Sequence, residues 1–204
     1  MVLIPCMETV QTEFCRDLVK MKHVGNVQHK FQINSLIYKS RNELALSALA
    51  EGADFALWLD SDVIFPSSLL EDLIADMTEE RDIVTGVYHM RRFPFAPVIW
   101  KTLTWGPNPE DNVSELAAEY PEEIFEVDAC GFGCVLMRTT VLKAVLEKFH
   151  EMFSPVSGIG EDLTFCLRAR KCGFRIWCDP RIQLGHKATT IVTKRTWDEY
   201  KDRL

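Results

Sequence analysis

Two carboxylates separated by one residue, Asp60-Ser61-Asp62, stand directly after the apolar run Phe55-Ala56-Leu57-Trp58-Leu59. Carboxylates that diverge from a tight turn can divide their work, one taking a hard divalent cation and the other a sugar hydroxyl or cation-bound water. Asp is also a common turn former after a strand, and that is the plain reading of an isolated D-x-D. Here the five apolar residues before the pair, with Val63-Ile64-Phe65-Pro66 after it, favour chemistry. A second pair, Glu161-Asp162, follows the glycine-flanked stretch Ser157-Gly158-Ile159-Gly160. Acidic residues in a first helical turn complement the helix dipole. A carboxylate carried on a glycine hinge could equally remove a proton from an attacking hydroxyl, and the two readings stand level. His186 follows Gly185 at an expected strand end. A lone histidine is more often a surface or satisfied core residue. Its neutral imidazole could nevertheless join Asp62 on a divalent cation, with phosphate oxygens completing the set.

Other residues carry weaker signals. Arg41-Asn42 is either ordinary first-turn polarity or a contact to a bound donor. The segment Cys130-Gly131-Phe132-Gly133-Cys134 opens no helix, so it is not a dinucleotide fingerprint. Gly131 and Gly133 instead suit a backbone that passes close to a ligand. His89 precedes Met90-Arg91-Arg92, which is either a solvated loop or a means of neutralising a phosphate. His23, His29 and His150 have no such context. Trp100 and Trp105 are core residues or surfaces on which a sugar ring could stack. The seven cysteines lack a paired C-x2-C pattern, so reduced, mostly buried thiols are the main reading and zinc the minor one.

These residues need a scaffold, and the hydropathy pattern supplies one. Short apolar runs alternate with amphipathic stretches, as in an α/β protein. Strands are expected at Val2–Cys6, within Val27–Ile33, and at Phe55–Leu59, Asp82–Tyr88, Ile124–Ala129, Cys134–Met137, Phe174–Cys178 and Ile182–Leu184. Helices are expected over Thr12–Lys20, with Phe14, Leu18 and Val19 inward, and after three capping residues, Ser40, Ser68 and Thr140. A further helix begins at Glu161-Asp162. Thr102 to Glu122 reads as a long irregular loop, a kind of segment that is usually functional or mobile. The end of the chain, from Thr196, reads as a short charged helix.

Composition narrows the classes. The chain has 204 residues, 47% of them hydrophobic and 26% charged, which suits one globular domain. Lys plus Arg is 23 and Asp plus Glu is 30, a net charge of −7. That balance disfavours nucleic acid as an electrostatic partner. It leaves anionic ligands open, because a divalent cation can supply the local positive field. No run approaches the ~20 apolar residues of a membrane span, and with no signal peptide at the start a cytoplasmic location is expected.

Taken in order, the motifs resemble GT-A glycosyltransferases, particularly the nucleotide-sugar enzymes of the large inverting family. The residues that carry the resemblance are Val2-Leu3-Ile4-Pro5, Ser40-Arg41-Asn42, Leu57-Trp58-Leu59-Asp60-Ser61-Asp62, Cys130 to Arg138, Gly160-Glu161-Asp162, Arg168 to Gly173, and Asp179-Pro180 before Gly185-His186. The resemblance implies a single GT-A-like Rossmann-type domain over residues 1–204. It would have a mostly parallel central sheet flanked by helices, a small mixed sheet, a mobile loop at about 102–122 and a charged tail at about 190–204. It implies a donor site of Arg41, Asp60, Ser61, Asp62, Gly131 and Gly133, with Mn²⁺ or Mg²⁺ on Asp62 and His186. Asp162 would be the catalytic base and Glu161 would orient the acceptor. The donor would be a nucleotide-sugar, a UDP-sugar foremost, and the acceptor a hydroxyl. A sugar-phosphate nucleotidyltransferase and a non-catalytic zinc- or sugar-binding module are the competing readings.

Overall fold

The computed structural model describes residues 1–106, 108–156, 158–188 and 191–201. Pro107 of the expected loop, Ser157 of the expected hinge, and residues 189, 190 and 202–204 of the expected tail lie outside the described residues. In chain order the strands are β1 (Val2–Cys6), β2 (His29–Ile33), β3 (Phe55–Leu59), β4 (Val63–Ile64), β5 (Ile83–Val87), β6 (Ile99–Thr104), β7 (Val113–Leu116), β8 (Phe125–Val127), β9 (Ala129–Cys130), β10 (Cys134–Arg138), β11 (Ile176–Gln183), β12 (Gly185–Lys187) and β13 (Ile191–Val192). The helices are α1 (Thr12–Lys20), α2 (Ile37–Ala50), α3 (Leu69–Asp76), α4 (Thr139–Phe149), α5 (Glu161–Lys171) and α6 (Lys194–Tyr200).

Seven strands form one sheet in the order β2-β1-β3-β10-β5-β11-β8. β1 pairs parallel with β2 and β3, and β5 with β11, whereas β10 runs against both β3 and β5 and β8 against β11. The α/β class is as expected, but the sheet is mixed rather than mostly parallel. The cause lies at β10, which leaves the Gly131–Gly133 loop with Cys134 opposite Leu59. It therefore enters the sheet at the carboxyl end of β3 and has to run back.

Strand alternation sorts the core into two layers. Leu3, Trp58 and Val135 face a cluster with residues of α2, α4 and α5, while Val2, Ile4, Leu57, Leu59 and Leu136 face one with residues of α1 and α3. In the first, Trp58, Phe132, Phe153 and Phe165 form a fully buried aromatic group, with ring centroids 4.5 to 5.7 Å apart.

Several local expectations need correcting. Val19 does not face inward; it is 87% exposed, one position past the buried face of α1. Ser40 is no cap, because α2 starts a turn earlier, at Ile37, and buries both Ser40 and Arg41. Ser68 and Thr140 make no capping hydrogen bond either, and α4 starts at Thr139. The stretch from Thr102 is largely a hairpin of β6 and β7, tied by Thr104 Oγ1 donating to the Asp111 carbonyl at 3.1 Å. The two short strands expected over residues 174–184 are one strand, β11, with an irregularity between Cys178 and Gln183. In place of one small mixed sheet there are two of three strands, β13-β12-β4 and β7-β6-β9, both antiparallel.

Where that irregularity in β11 packs against α3, two buried carboxyls meet. Asp179 lies beneath Asp76 at the end of α3, and Arg181 reaches both, at 2.8 and 3.6 Å. Asp76 Oδ2 has no hydrogen-bond partner. Burial and the neighbouring Asp179 raise the Asp76 carboxyl to about 6. Burial opposes charge at Asp179 as well, but its bonds from Arg181 outweigh this and hold it below the usual range. With Asp76 at about 6 folded and near 3.8 unfolded, the native state keeps a proton that the unfolded chain has released. Stability therefore falls as pH rises between those values and stays lower above them. Asp76→Asn removes that loss: the variant is more stable than the wild type above about pH 6, by on the order of 1 kcal/mol, and the gap closes by about pH 4, as followed by thermal scans across pH.

Candidate active site

β3 is buried on both sides, so the chain surfaces where it ends, at Asp60. The Asp60 amide donates to the Gly133 carbonyl at 3.2 Å and the Val63 amide to the Asp60 carbonyl at 3.2 Å, which closes the D-x-D turn. Arg41, its side chain 4% exposed, reaches the same point from α2. Its Nη2 lies 3.1 Å from Asp60 Oδ1 and its Nε 3.5 Å from Glu161 Oε1. The guanidinium rests over the Phe132 ring, 5.1 Å from the centroid, and its Nη1 has no partner. Burial raises the Asp60 carboxyl to about 6 despite Arg41, with Asp62 adding to the rise. Burial also raises Glu161, and Arg41 opposes this. At Arg41 burial disfavours the charge, but Asp60, Glu161 and Asp162 more than compensate. Asp60, Glu161 and Asp162 thus gather around one buried cation, joining the end of β3 to the start of α5.

Asp62 is served by a different element. β12 pairs with β4 so that His186 stands opposite Val63, and the Lys187 amide donates to the Asp62 carbonyl at 2.8 Å. His186 Nε2 then lies 3.6 Å from Asp62 Oδ1. The other ring nitrogen, Nδ1, is 2.7 Å from the His89 carbonyl. A carbonyl only accepts, so Nδ1 carries a proton and Nε2 is turned toward the carboxylate. A nitrogen lone pair facing a carboxylate oxygen is repulsive unless a proton or a cation lies between them. The far oxygen, Oδ2, is held by Arg91 Nη1 at 2.6 Å. Burial opposes charge at Asp62, but His186 and Arg91 outweigh it and keep the carboxyl below its ordinary range.

Asp62 and His186 have the right chemistry for a divalent cation and supply two donors, one oxygen and one imidazole nitrogen, a pair that suits Mn²⁺ better than Mg²⁺. Among the described residues no group of three or more His, Cys, Asp or Glu side chains is arranged to hold a metal, so further ligands would come from outside the chain. All seven cysteines are unpaired.

Gly131 and Gly133 have a structural use of their own. A Cβ on Gly131 would lie 2.1 Å from the Tyr88 hydroxyl, and one on Gly133 would lie 2.7 Å from Tyr88 Cζ. The Gly133 amide donates to that hydroxyl at 3.1 Å. The glycines therefore seat Tyr88, and Tyr88 in turn packs edge-on against His186 with centroids 5.2 Å apart. Sequence reasoning missed Tyr88, although a bulky residue at a strand end and a Gly-x-Gly further on are a readable pairing. It also missed Phe132 as the platform for Arg41. Ser61 is half-buried in the turn, where its carbonyl accepts the Gln11 amide at 3.4 Å. Asn42 is structural: its Oδ1 accepts from the amides of Met152 and Phe153 at 3.2 and 3.1 Å. Trp105 lies against Gly158, where a Cβ would meet Cζ2 at 2.8 Å, so the hairpin touches the loop that leads to Glu161.

No protein-family model and no curated protein matches the chain. Among solved structures, the crystal structure of A197 from STIV is similar with a TM-score of 0.66, covering 92% of this chain and 85% of A197 at 18% identity. The two chains share a fold. At that identity the similarity extends to architecture and not to individual side chains.

The seat of Tyr88 can be tested directly. Gly131→Ala overpacks it and lowers stability by about 1–3 kcal/mol in denaturant unfolding. Adding Tyr88→Phe removes the nearest clashing atom and recovers part of that loss.

Proposed function

We propose that residues 1–204 form one glycosyltransferase domain that moves a sugar from a nucleotide-sugar donor, a UDP-sugar foremost, to a hydroxyl acceptor. The fold shared with A197 supplies an α/β architecture that can carry such a site. The observation that carries the finer reading is the convergence at the end of β3. Asp60 and Glu161 meet on Arg41, and Asp62 in the turn meets His186 of β12 at 3.6 Å. Open α/β sheets take their ligands at that edge.

On this reading each group has a task suited to its surroundings. Asp62 and His186 would hold Mn²⁺ or Mg²⁺. The cation, when bound, offsets the charge that develops on the departing nucleoside diphosphate. Asp60, fixed by Arg41 and lifted to about 6, has a carboxyl suited to hydrogen bonding a ribose or sugar hydroxyl. Glu161 is anchored to the same guanidinium and orients the acceptor. Asp162 at the start of α5 removes the proton from the attacking hydroxyl, giving an inverting single displacement. Among the described residues no helix is long and apolar enough to cross a membrane. A cytoplasmic setting accords with seven unpaired cysteines.

Calorimetry with Mn²⁺ and UDP separates these roles. Asp62→Ala loses Mn²⁺-dependent UDP binding. Asp162→Asn retains it within a few-fold, while sugar transfer measured by product mass spectrometry falls by about 10²- to 10⁴-fold. A wild-type chain that binds no nucleoside diphosphate with either metal would sink the reading.

A further inference from the structure

Asp62 has both oxygens engaged: Oδ2 by Arg91 at 2.6 Å and Oδ1 by the facing His186 at 3.6 Å. A cation drawn to Asp62 meets a guanidinium already there, and the two repel. Arg91 is free to leave. Its side chain is 53% exposed, and it sits on a short hairpin beyond β5 where the Met90 amide donates to Ala96 and the Phe95 amide to Arg92. Arg41, the partner of Asp60, is 4% exposed and cannot move without stranding a buried charge.

We infer that Arg91 is a displaceable counter-ion. It holds the Asp62 carboxylate until a divalent cation arrives, then yields Asp62 and pairs with the diphosphate carried on that cation. The inference rests on the proposed metal and donor site and adds a residue to it. A guanidinium suits both positions, because its planar fork matches a carboxylate and a phosphate alike. The exchange also preserves local charge: Asp62 passes from one positive partner to another, and the freed arginine meets a new anion. Coupling metal loading to diphosphate capture in this way makes each bind more tightly in the presence of the other.

The signature is a pair of opposite effects from one substitution. Arg91→Ala removes the competitor, so Mn²⁺ alone, titrated by electron paramagnetic resonance of the free ion, binds about two- to fivefold more tightly than to wild type, as expected for an exposed ion pair. The same variant binds UDP at saturating Mn²⁺ about tenfold more weakly, because a charge-assisted hydrogen bond is lost. Arg92→Ala removes the same charge one residue away, from a side chain that makes no bond to Asp62, and serves as the control for the general field. Mn²⁺ binding unchanged or weakened by Arg91→Ala, or tightened equally by Arg92→Ala, overturns the counter-ion role. Tightened Mn²⁺ with unchanged UDP overturns the hand-over to diphosphate. If the wild type takes up no Mn²⁺, both this inference and the metal-dependent reading fall. If the wild type binds Mn²⁺ and UDP but shows no opposed effects, the inference alone falls.

Discussion

A buried guanidinium cannot stand alone. Removing a charge from water costs several kcal/mol even after relaxation, so its neighbours must supply opposite charge and hydrogen bonds at short range. Arg41 imposes that demand at the centre of this molecule. Asp60 and Glu161, 101 positions apart in the chain, satisfy it from two sides, and the Phe132 ring closes off a third. The end of β3, the start of α5 and the Gly131–Gly133 loop are therefore fixed relative to one another by one side chain of α2. Each carboxyl that Arg41 holds is itself drawn out of water, and burial raises the proton affinity of Asp60 and Glu161. Burial thus shifts both carboxyls against the opposing pull of Arg41, while the pairing itself fixes where they stand.

The second half of the site depends on a small sheet. β11 runs through its irregularity at Asp179 and Arg181, and β12 then turns onto β4, the two-residue strand that follows the D-x-D directly. Without that pairing His186 would be a histidine at the end of an edge strand. With it, the His89 carbonyl fixes the tautomer, Tyr88 packs against the ring and Nε2 faces Asp62. The support is layered in the way metal and catalytic sites require: a functional ring held by a carbonyl and an aromatic that are themselves immobilised by packing. Tyr88 depends on two glycines, so the Gly-x-Gly that follows β9 also supports the ring beside His186.

How much of this could be read in advance follows from the range of the forces. The apolar run of β3 and the carboxylates after it are local signals, and both are where the pattern puts them. The Glu161–Asp162 pair at a helix start is local too, and α5 begins there. The antiparallel course of β10 was not legible, since nothing in Cys134–Met137 distinguishes a strand entering from one end of the sheet or the other. The β6–β7 hairpin was hidden by the turn-forming composition between Thr104 and Val113, which reads as a loop although the strands on either side of it pair. Ser40 misled because the capping pattern Ser-x-x-Glu is also compatible with a helix interior, and burial of Arg41 demanded an extra turn before it. Tyr88, Phe132 and the Asp76–Asp179 pair rest on contacts between distant segments, which single-chain periodicity does not encode.

The two aspartates of the D-x-D each meet an arginine, and the contrast between those arginines says what kind of site this is. Arg41 is buried, and its charge must stay paired in every state the fold can reach. Arg91 is half in water, where leaving its partner costs little because solvent takes over. Asp60 is thereby tied to architecture, and on the proposed reading Asp62 is the carboxylate whose partner would change. In a chain with a net charge of −7, a carboxylate kept for an incoming cation, as proposed, would invite non-specific cations as well. A tethered guanidinium on that carboxylate raises the threshold for all of them. A cation that also gains the imidazole nitrogen and then recruits an anionic ligand recovers more than it displaces. Selectivity at this turn follows from what must be displaced as well as from what is offered.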